Sequence, residues 1–307
     1  MLRNEVVPGI FSEYNYSKGK KVNLIVGLRY DHNNLYGNIF TPRMHFKYNI
    51  SDATIVRASI GKGYKVANVF SENPGIFASS RNIVIVEDLE LEEAWNIGGN
   101  LVHDFYYGSE KSITLSLDIY RTWFVNQVVV DMDLDLHNVY FYNLDGRSYS
   151  NSYQLELRAE PVERFEITSA VRYNDVQITI DEELVSKPFV NKFKALLSMS
   201  YATKYNKWMF DANVQYNGKA RLPKALSDVA SVEYSDYSPG FFMFQAQITR
   251  KFRAFSVYAG GENLGNFIQE NPIIAADNPF GDDFDASMVW GPIIGRRFFV
   301  GVRYTLE

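Results

Sequence analysis

The sequence contains no cysteine, which removes disulfide scaffolds, thiolate metal sites and cysteine nucleophiles together and leaves the redox compartment open. It also lacks a surplus of positive charge. With 31 Lys and Arg against 36 Asp and Glu, the net charge is −5, so no nucleic-acid partner is expected, because neutralising phosphates takes a basic field. Long hydrophobic runs are missing too. No apolar stretch approaches the roughly 20 residues of a membrane helix, and the opening MLRNEVVPGIF has no signal-peptide core. A helical membrane protein is therefore excluded. A membrane β-barrel is not, since its strands carry their hydrophobicity in alternation.

What is abundant is aromatic surface: 21 Tyr, 22 Phe and 4 Trp make 15% of the chain, and Tyr and Trp suit a boundary that is half oily and half wet. A hydrophobic fraction of 46% beside 22% charge also rules out a disordered chain.

Period-two patterning dominates from end to end, with no helical interlude. In KVNLIVGLRYD, Val22, Leu24, Val26, Leu28 and Tyr30 oppose Lys21, Asn23, Arg29 and Asp31. In IFTPRMHFKYNI, Phe40, Pro42, Met44, Phe46, Tyr48 and Ile50 oppose Thr41, Arg43, His45, Lys47 and Asn49. Comparable segments follow at 54–64, 93–104, 112–123, 147–160, 165–175, 189–203, 207–217, 240–252, 254–264 and 295–306, after one near 6–16, giving about thirteen strands. A soluble β-sandwich also alternates. These strands run about 10 to 13 residues, however, which matches a tilted membrane crossing better than the five or six of soluble sheets.

Charge is confined to one parity. Arg57, Asp118, Glu156, Arg158, Glu166, Arg172, Lys192, Lys194, Asp211, Glu262 and Arg303 share a face, while the other keeps only Lys62, His103 and Arg121, near strand ends. A basic residue facing mid-bilayer lipid costs about 2–4 kcal/mol, so the charged parity is expected to face a lumen. Connections alternate in length as well. Short ones fall at 17–20, 51–53, 105–111, 160–164, 203–207 and 251–253, expected in the periplasm; long ones fall at 65–92, 124–146, 176–188, 218–239 and 265–294, expected outside, with a short member at 32–38.

With no fixed-period repeat or linker, residues 1–307 are expected to form one domain. An up-and-down barrel with both ends in the periplasm needs an even strand number. Thirteen is odd, so the expectation is part of a larger barrel whose missing portion lies N-terminal.

Three stretches carry a resemblance: GLRYDHNNLYGNIFTPRMHFKYNISDATIVRASIGKGYKVANVFSE (27–72), VEDLELEEAWNIGGNL (86–101) and GGENLGNFIQENPI with GRRFFVGVRYTL (260–306). In these the chain resembles the C-terminal barrel portion of TonB-dependent outer-membrane receptors, particularly those of Bacteroidetes-type bacteria. The resemblance implies an all-β, transmembrane, antiparallel up-and-down barrel of about 22 strands around an N-terminal plug, of which this chain supplies the last thirteen without the plug. It also implies residence in the outer membrane of a Gram-negative bacterium, contact with outer-membrane lipid, and coupling to the TonB complex through the missing N-terminal region. The activity implied is uptake of a scarce, bulky nutrient such as a ferric siderophore, haem, cobalamin or another metal complex. A passive porin-like or surface-binding barrel is the alternative. The last strand ends Tyr304, Thr305, Leu306, Glu307 rather than on the family's usual terminal aromatic residue.

Catalytic and metal-binding residues are not expected, and no cofactor is called for. His32, His45, His103 and His137 are scattered without ligand spacing, Gly61-Lys62-Gly63 lies inside a strand rather than before a helix, and no serine sits in a nucleophile elbow. Candidate ligand contacts in external loops are Tyr140 and Tyr142, beside Phe141, and the acidic Asp282, Asp283 and Asp285, with Asp277 nearby. Their plainer readings are a strand extension and a solvated loop. Arg29, Arg43, Arg57, Arg158 and Arg172 are expected to face the lumen and the plug, and Tyr30, Tyr48, Trp95, Tyr173, Trp208, Tyr216 and Tyr304 to form interfacial aromatic belts.

Overall fold

A computed structural model describes residues 4–107, 111–225 and 235–305. Each alternating segment becomes a strand of one antiparallel wall: β1 (Gly9–Lys18), β2 (Val22–Asn33), β3 (Gly37–Asn49), β4 (Thr54–Lys65), β6 (Glu92–Tyr107), β7 (Lys111–Asn126), β10 (Ser148–Val162), β11 (Phe165–Ile180), β13 (Phe193–Ala202), β14 (Trp208–Asn217), β15 (Phe241–Lys251), β16 (Phe255–Glu262) and β17 (Arg297–Tyr304). Between them lie β5 (Asn82–Ile85), β8 (Val128–Asp131), β9 (Asn138–Asn143) and β12 (Glu183–Ser186). The wall is a 14-stranded sheet in which thirteen strands follow one another in chain order and β12 branches from β11. Among the described residues β1 and β17 are its two edges and do not pair with each other.

Period-two alternation gives each strand two faces, and register makes them continuous. Leu28 pairs with Pro42 and Tyr30 with Phe40, Leu101 with Leu117, Tyr153 with Tyr173, Val214 with Phe244, and Val257 with Val302. The opposite face aligns Arg57 with Asn100, Arg172 with Lys194 and Ser200 with Asp211. Glycines let rings lie flat on this polar face: a Cβ on Gly98 would overlap the Tyr120 ring, and one on Gly301 the Tyr258 ring. Such cross-strand covering of glycine lets a sheet bend without losing packing.

The two ends of the wall differ. At one end strands join through tight connections, such as the β1–β2 turn with Gly19 at φ 56°. At the other, long connections pack on one another, and the buried hydrophobic clusters lie there: Ile76, Val128, Val139 and Phe141 in one, Leu222, Ile274 and Met288 in a second, and Val129, Ile178 and Ile180 in a third. The core is therefore in the loops. The wall's apolar face stays bare, with Phe242 at 51%, Val300 at 77% and Val302 at 67% exposure.

Several boundaries depart from the alternation pattern. The expected loop at 176–188 is largely strand, because β11 continues to Ile180 and turns back as β12, pairing Gln177 with Ser186. The strand expected from 189 begins at Phe193. A helical interlude does occur within the 65–92 connection, as the short helix α1 (Val69–Glu72) and a 3-10 turn at Pro74–Ala78. Pro74 opens that turn, where its missing N–H costs nothing.

Candidate functional site: the loop cap and the polar wall face

The connection after β7 folds because its aspartates satisfy the backbone. Asp135 Oδ1 accepts from the N–H groups of His137 at 2.8 Å and Asn138 at 2.7 Å, an Asx-type turn that reverses the chain. It returns as β9, antiparallel to β8 and parallel to β5. The expectation that residues 140–142 extend a wall strand is corrected: they form the centre of this separate three-stranded sheet, since Phe141 has a hydrophobic cluster to enter and is fully buried.

Tyr140 and Tyr142 flank Phe141 with their hydroxyls donating to carboxylates, Tyr140 to Asp135 at 2.8 Å and Tyr142 to Asp131 at 2.9 Å. The hydrogen bond to Asp135 raises the Tyr140 phenol, and burial together with the Asp131 charge pushes Tyr142 far up. Both therefore stay protonated donors. Desolvation works to raise Asp135, but hydrogen bonds from Asn138, Tyr140 and two backbone N–H groups hold it below the usual carboxylate range.

Two buried ion pairs tie distant loops together. Arg81 Nε meets Asp285 at 2.7 Å with side chains 1% and 4% exposed, and Arg81 Nη1 donates to the Asp135 carbonyl at 3.2 Å. Arg221 binds Asp133 through both terminal nitrogens, at 3.1 and 2.8 Å, while its Nε donates to the Ser186 carbonyl. The connections before β5, after β8, after β12, after β14 and after β16 are thus one body, the loop cap. Nothing in the alternation pattern marked Arg81, Arg221, Asp131, Asp133 or Asp135. The partners in the two pairs lie 204 and 88 residues apart, so the only local signal was the alternating acid of Asp131, Asp133 and Asp135.

The acidic candidates do not act together. Asp285 is consumed by Arg81 and Ser287, Asp283 sits on the surface against His137 at 3.0 Å, and Asp282 offers its backbone carbonyl to Ser80. Among the described residues, no three His, Asp or Glu side chains converge as a metal site. The cap does hold a recess of about 290 Å³ lined by Leu222, Tyr237, Pro239, Phe267, Trp290 and Glu270 among others. Stacking of Phe241 on Phe267 at 4.6 Å stiffens its floor.

Register puts all five candidate arginines on the polar face, each held by a same-face partner: Arg29 by Asp31, Arg43 by Glu13, Arg57 by Asn100, Arg158 by Glu156 and Arg172 by Gln154. Tyr30, Tyr48, Trp95, Tyr173, Trp208, Tyr216 and Tyr304 all lie on the apolar face, in two tiers. Toward the loop end, Trp95 stacks with Trp123, Tyr153 meets Tyr173, and Tyr216 meets Phe193 and Phe242. Toward the turn end, Phe46 stacks with Tyr48, and Phe210 with Tyr201 and Trp208. Charges on that face keep to its margins. Lys62 pairs with Glu93 at 2.6 Å and Arg121 covers Tyr149 at 5.3 Å; Arg250, which the alternation pattern did not flag, covers Trp208 at 4.9 Å.

An antiparallel wall with an apolar outer face, a polar inner face and a cap of packed loops defines the class: the wall of an outer-membrane-type β-barrel. The chain belongs to the family described as TonB dependent receptor-like, beta-barrel, which matches residues 4–264. A curated relative, the ferric enterobactin receptor of Pseudomonas aeruginosa, is 28% identical over 72 residues, covering 24% of this chain and 10% of that protein. Solved structures repeat the fold. The copper transporter OprC superposes with a TM-score of 0.70 at 16% identity, over 98% of this chain and 47% of that one. A mutant of the P. aeruginosa ferric enterobactin receptor gives 0.68 at 15%, over 96% and 44%, and the siderophore receptor PirA from the same organism 0.61 at 14%, over 97% and 48%. The chain thus spans less than half the length of these structures.

Proposed function

We propose that this chain is the C-terminal part of the wall of a receptor in the outer membrane of a Gram-negative bacterium, which imports a scarce, bulky nutrient with energy supplied by the TonB complex. The observation that carries the proposal is the inverted burial: large hydrophobic side chains crowd the outside of the wall while the core sits in the loops. Water would not tolerate so broad an apolar face on a monomer, whereas hydrocarbon favours it. Residues 1–307 act as one unit, with the polar face turned to the lumen and its five arginines meeting a plug contributed by another part of the protein. The tiers containing Trp95 and Trp208 mark the two headgroup levels.

The cap supplies the ligand-selecting surface. Asp277, Asp282, Asp283, Glu182 and Glu270 add carboxylates beyond those consumed by Arg81 and Arg221, and this charge disfavours a polyanionic ligand. A neutral or cationic metal complex is the preferred class, with the recess beside Phe267 and Trp290 taking its apolar portion. The test is uptake of radiolabelled metal complexes of graded charge by cells with and without the intact gene. Loss of uptake of one neutral or cationic complex is expected in the deletion strain and, equally, in a strain lacking the energy-coupling complex. Uptake that survives loss of that complex would make the protein a passive channel instead.

A further inference from the structure

Cations at the two ends of the wall are treated differently. In the cap, Arg81 and Arg221 are buried against aspartates. At the turn end, the β13–β14 connection carries Lys204 and Lys207, and the β15–β16 hairpin carries Arg250, Lys251 and Arg253. β14 and β15 are neighbours, Trp208 pairs with Arg250, and Lys251 N donates to the Lys207 carbonyl at 2.9 Å. Arg250 shares the apolar parity with Trp208, Lys207 and Lys251 take the opposite parity where their strands end, and Lys204 and Arg253 lie in the turns, so the five cations line one stretch of the rim. All are exposed, and no acid occurs in residues 201–210 or 248–258. The nearest carboxylate along the chain, Asp211, is on the polar face bonded to Ser200. None of the five makes an ion pair within the described residues.

Aromatic rings are interleaved with these charges on the apolar side. The Arg250 guanidinium lies over Trp208 at 4.9 Å and Phe252 at 5.0 Å, Lys204 over Tyr205 at 5.2 Å, and Phe252 stacks on Phe255 at 4.6 Å. Rings that hold a guanidinium in place leave its N–H groups free to bind an oxyanion. Their position on the apolar parity fixes the level of that anion, at the boundary between hydrocarbon and water.

We propose that the β13–β14 and β15–β16 turns form a docking site for the phosphate of an acidic phospholipid in the leaflet at the turn end. The phosphate sits among Lys207, Arg250 and Arg253, and the acyl chains run along Trp208, Phe210 and Phe252. Unlike the β3–β4 turn with Asp52, or the β10–β11 turn where Arg164 faces Glu163 at 3.4 Å, this rim has no internal counter-charge. A protein meeting only neutral lipid would gain nothing from placing five cations there. The proposal rests on the membrane placement argued above.

The test is native mass spectrometry of the detergent-purified full-length protein, counting adducts of phosphatidylglycerol and phosphatidylcholine offered together. A preference for phosphatidylglycerol is expected, decreasing with ionic strength and falling about fivefold for each charge removed in K207Q, R250Q and R253Q. The charge-matched control R147Q/K219Q/R296Q at the loop end should keep it. Equal binding of the two lipids, a preference retained in the triple variant, or complete displacement by inorganic phosphate at the lipid's concentration overturns the proposal. If the triple variant does not fold, the salt dependence of the wild-type protein decides. Failure of the wild-type protein to partition into detergent at all would instead refute the membrane placement.

Discussion

Arg81 and Arg221 are the residues on which the cap's cohesion most depends. Each joins loops far apart in the chain through a nearly dry carboxylate, and stripping one partner from such a pair costs about 3–5 kcal/mol because the other charge is left buried alone. Arg81→Ala should therefore loosen the cap selectively. Hydrogen exchange should rise in β5, β8 and β9 while wall amides stay protected, and the double replacement Arg81→Met with Asp285→Leu should recover most of the loss. Equal loosening in single and double variants would show that the pair is not the latch. Neither partnership was legible in the sequence, since nothing local links Arg81 to Asp285. The faces of Arg29 or Trp95 needed only parity, because a strand assigns sides by counting.

At the scale of elements, the same distinction separates the wall from the cap. Thirteen alternating segments became thirteen wall strands in chain order, because neighbours in sequence are neighbours in the sheet and one repeating pattern governs them all. The cap sheet has no such pattern. Its strands have four to six residues, and β5 pairs in parallel with β9, a partner 56 residues away that only tertiary packing around Phe141 selects. Hence β5, β8, β9 and β12 were read as loop. The wall makes its own prediction through the two faces of β15. Phe244→Arg puts a charge beside Val214 and Phe242 on the apolar face and should cost about 2–4 kcal/mol in refolding into bilayers. Gln245→Arg, one residue on but opposite Asn213 on the polar face, should cost close to nothing. Titration of refolding with urea in lipid vesicles distinguishes them, and equal costs would contradict the assignment of faces.

The whole molecule exposes 19256 Å², against roughly 13,000 Å² expected of a compact soluble protein of this mass. That excess belongs to an open wall whose apolar face is bare and whose edge strands β1 and β17 do not pair with each other among the described residues, and it agrees with relatives more than twice as long. The wall is also polarised, with carboxylate-rich loops at one end and the basic rim of Lys204, Lys207, Arg250, Lys251 and Arg253 at the other. If the loops face the outside and the turns the periplasm, a single reactive group at each end reports it. The absence of cysteine makes the measurement clean. Asp283, whose side chain is 72% exposed, and Tyr205, at 76%, are suitable positions because neither supports the core. In intact cells, a maleimide that cannot cross membranes should label the Asp283→Cys protein and spare the Tyr205→Cys protein until the outer membrane is permeabilised. The reverse pattern would invert the orientation and move the acidic cap to the periplasm. Labelling of both in intact cells would mean that no membrane separates the two ends, and the import proposed above would then have no barrier to act across.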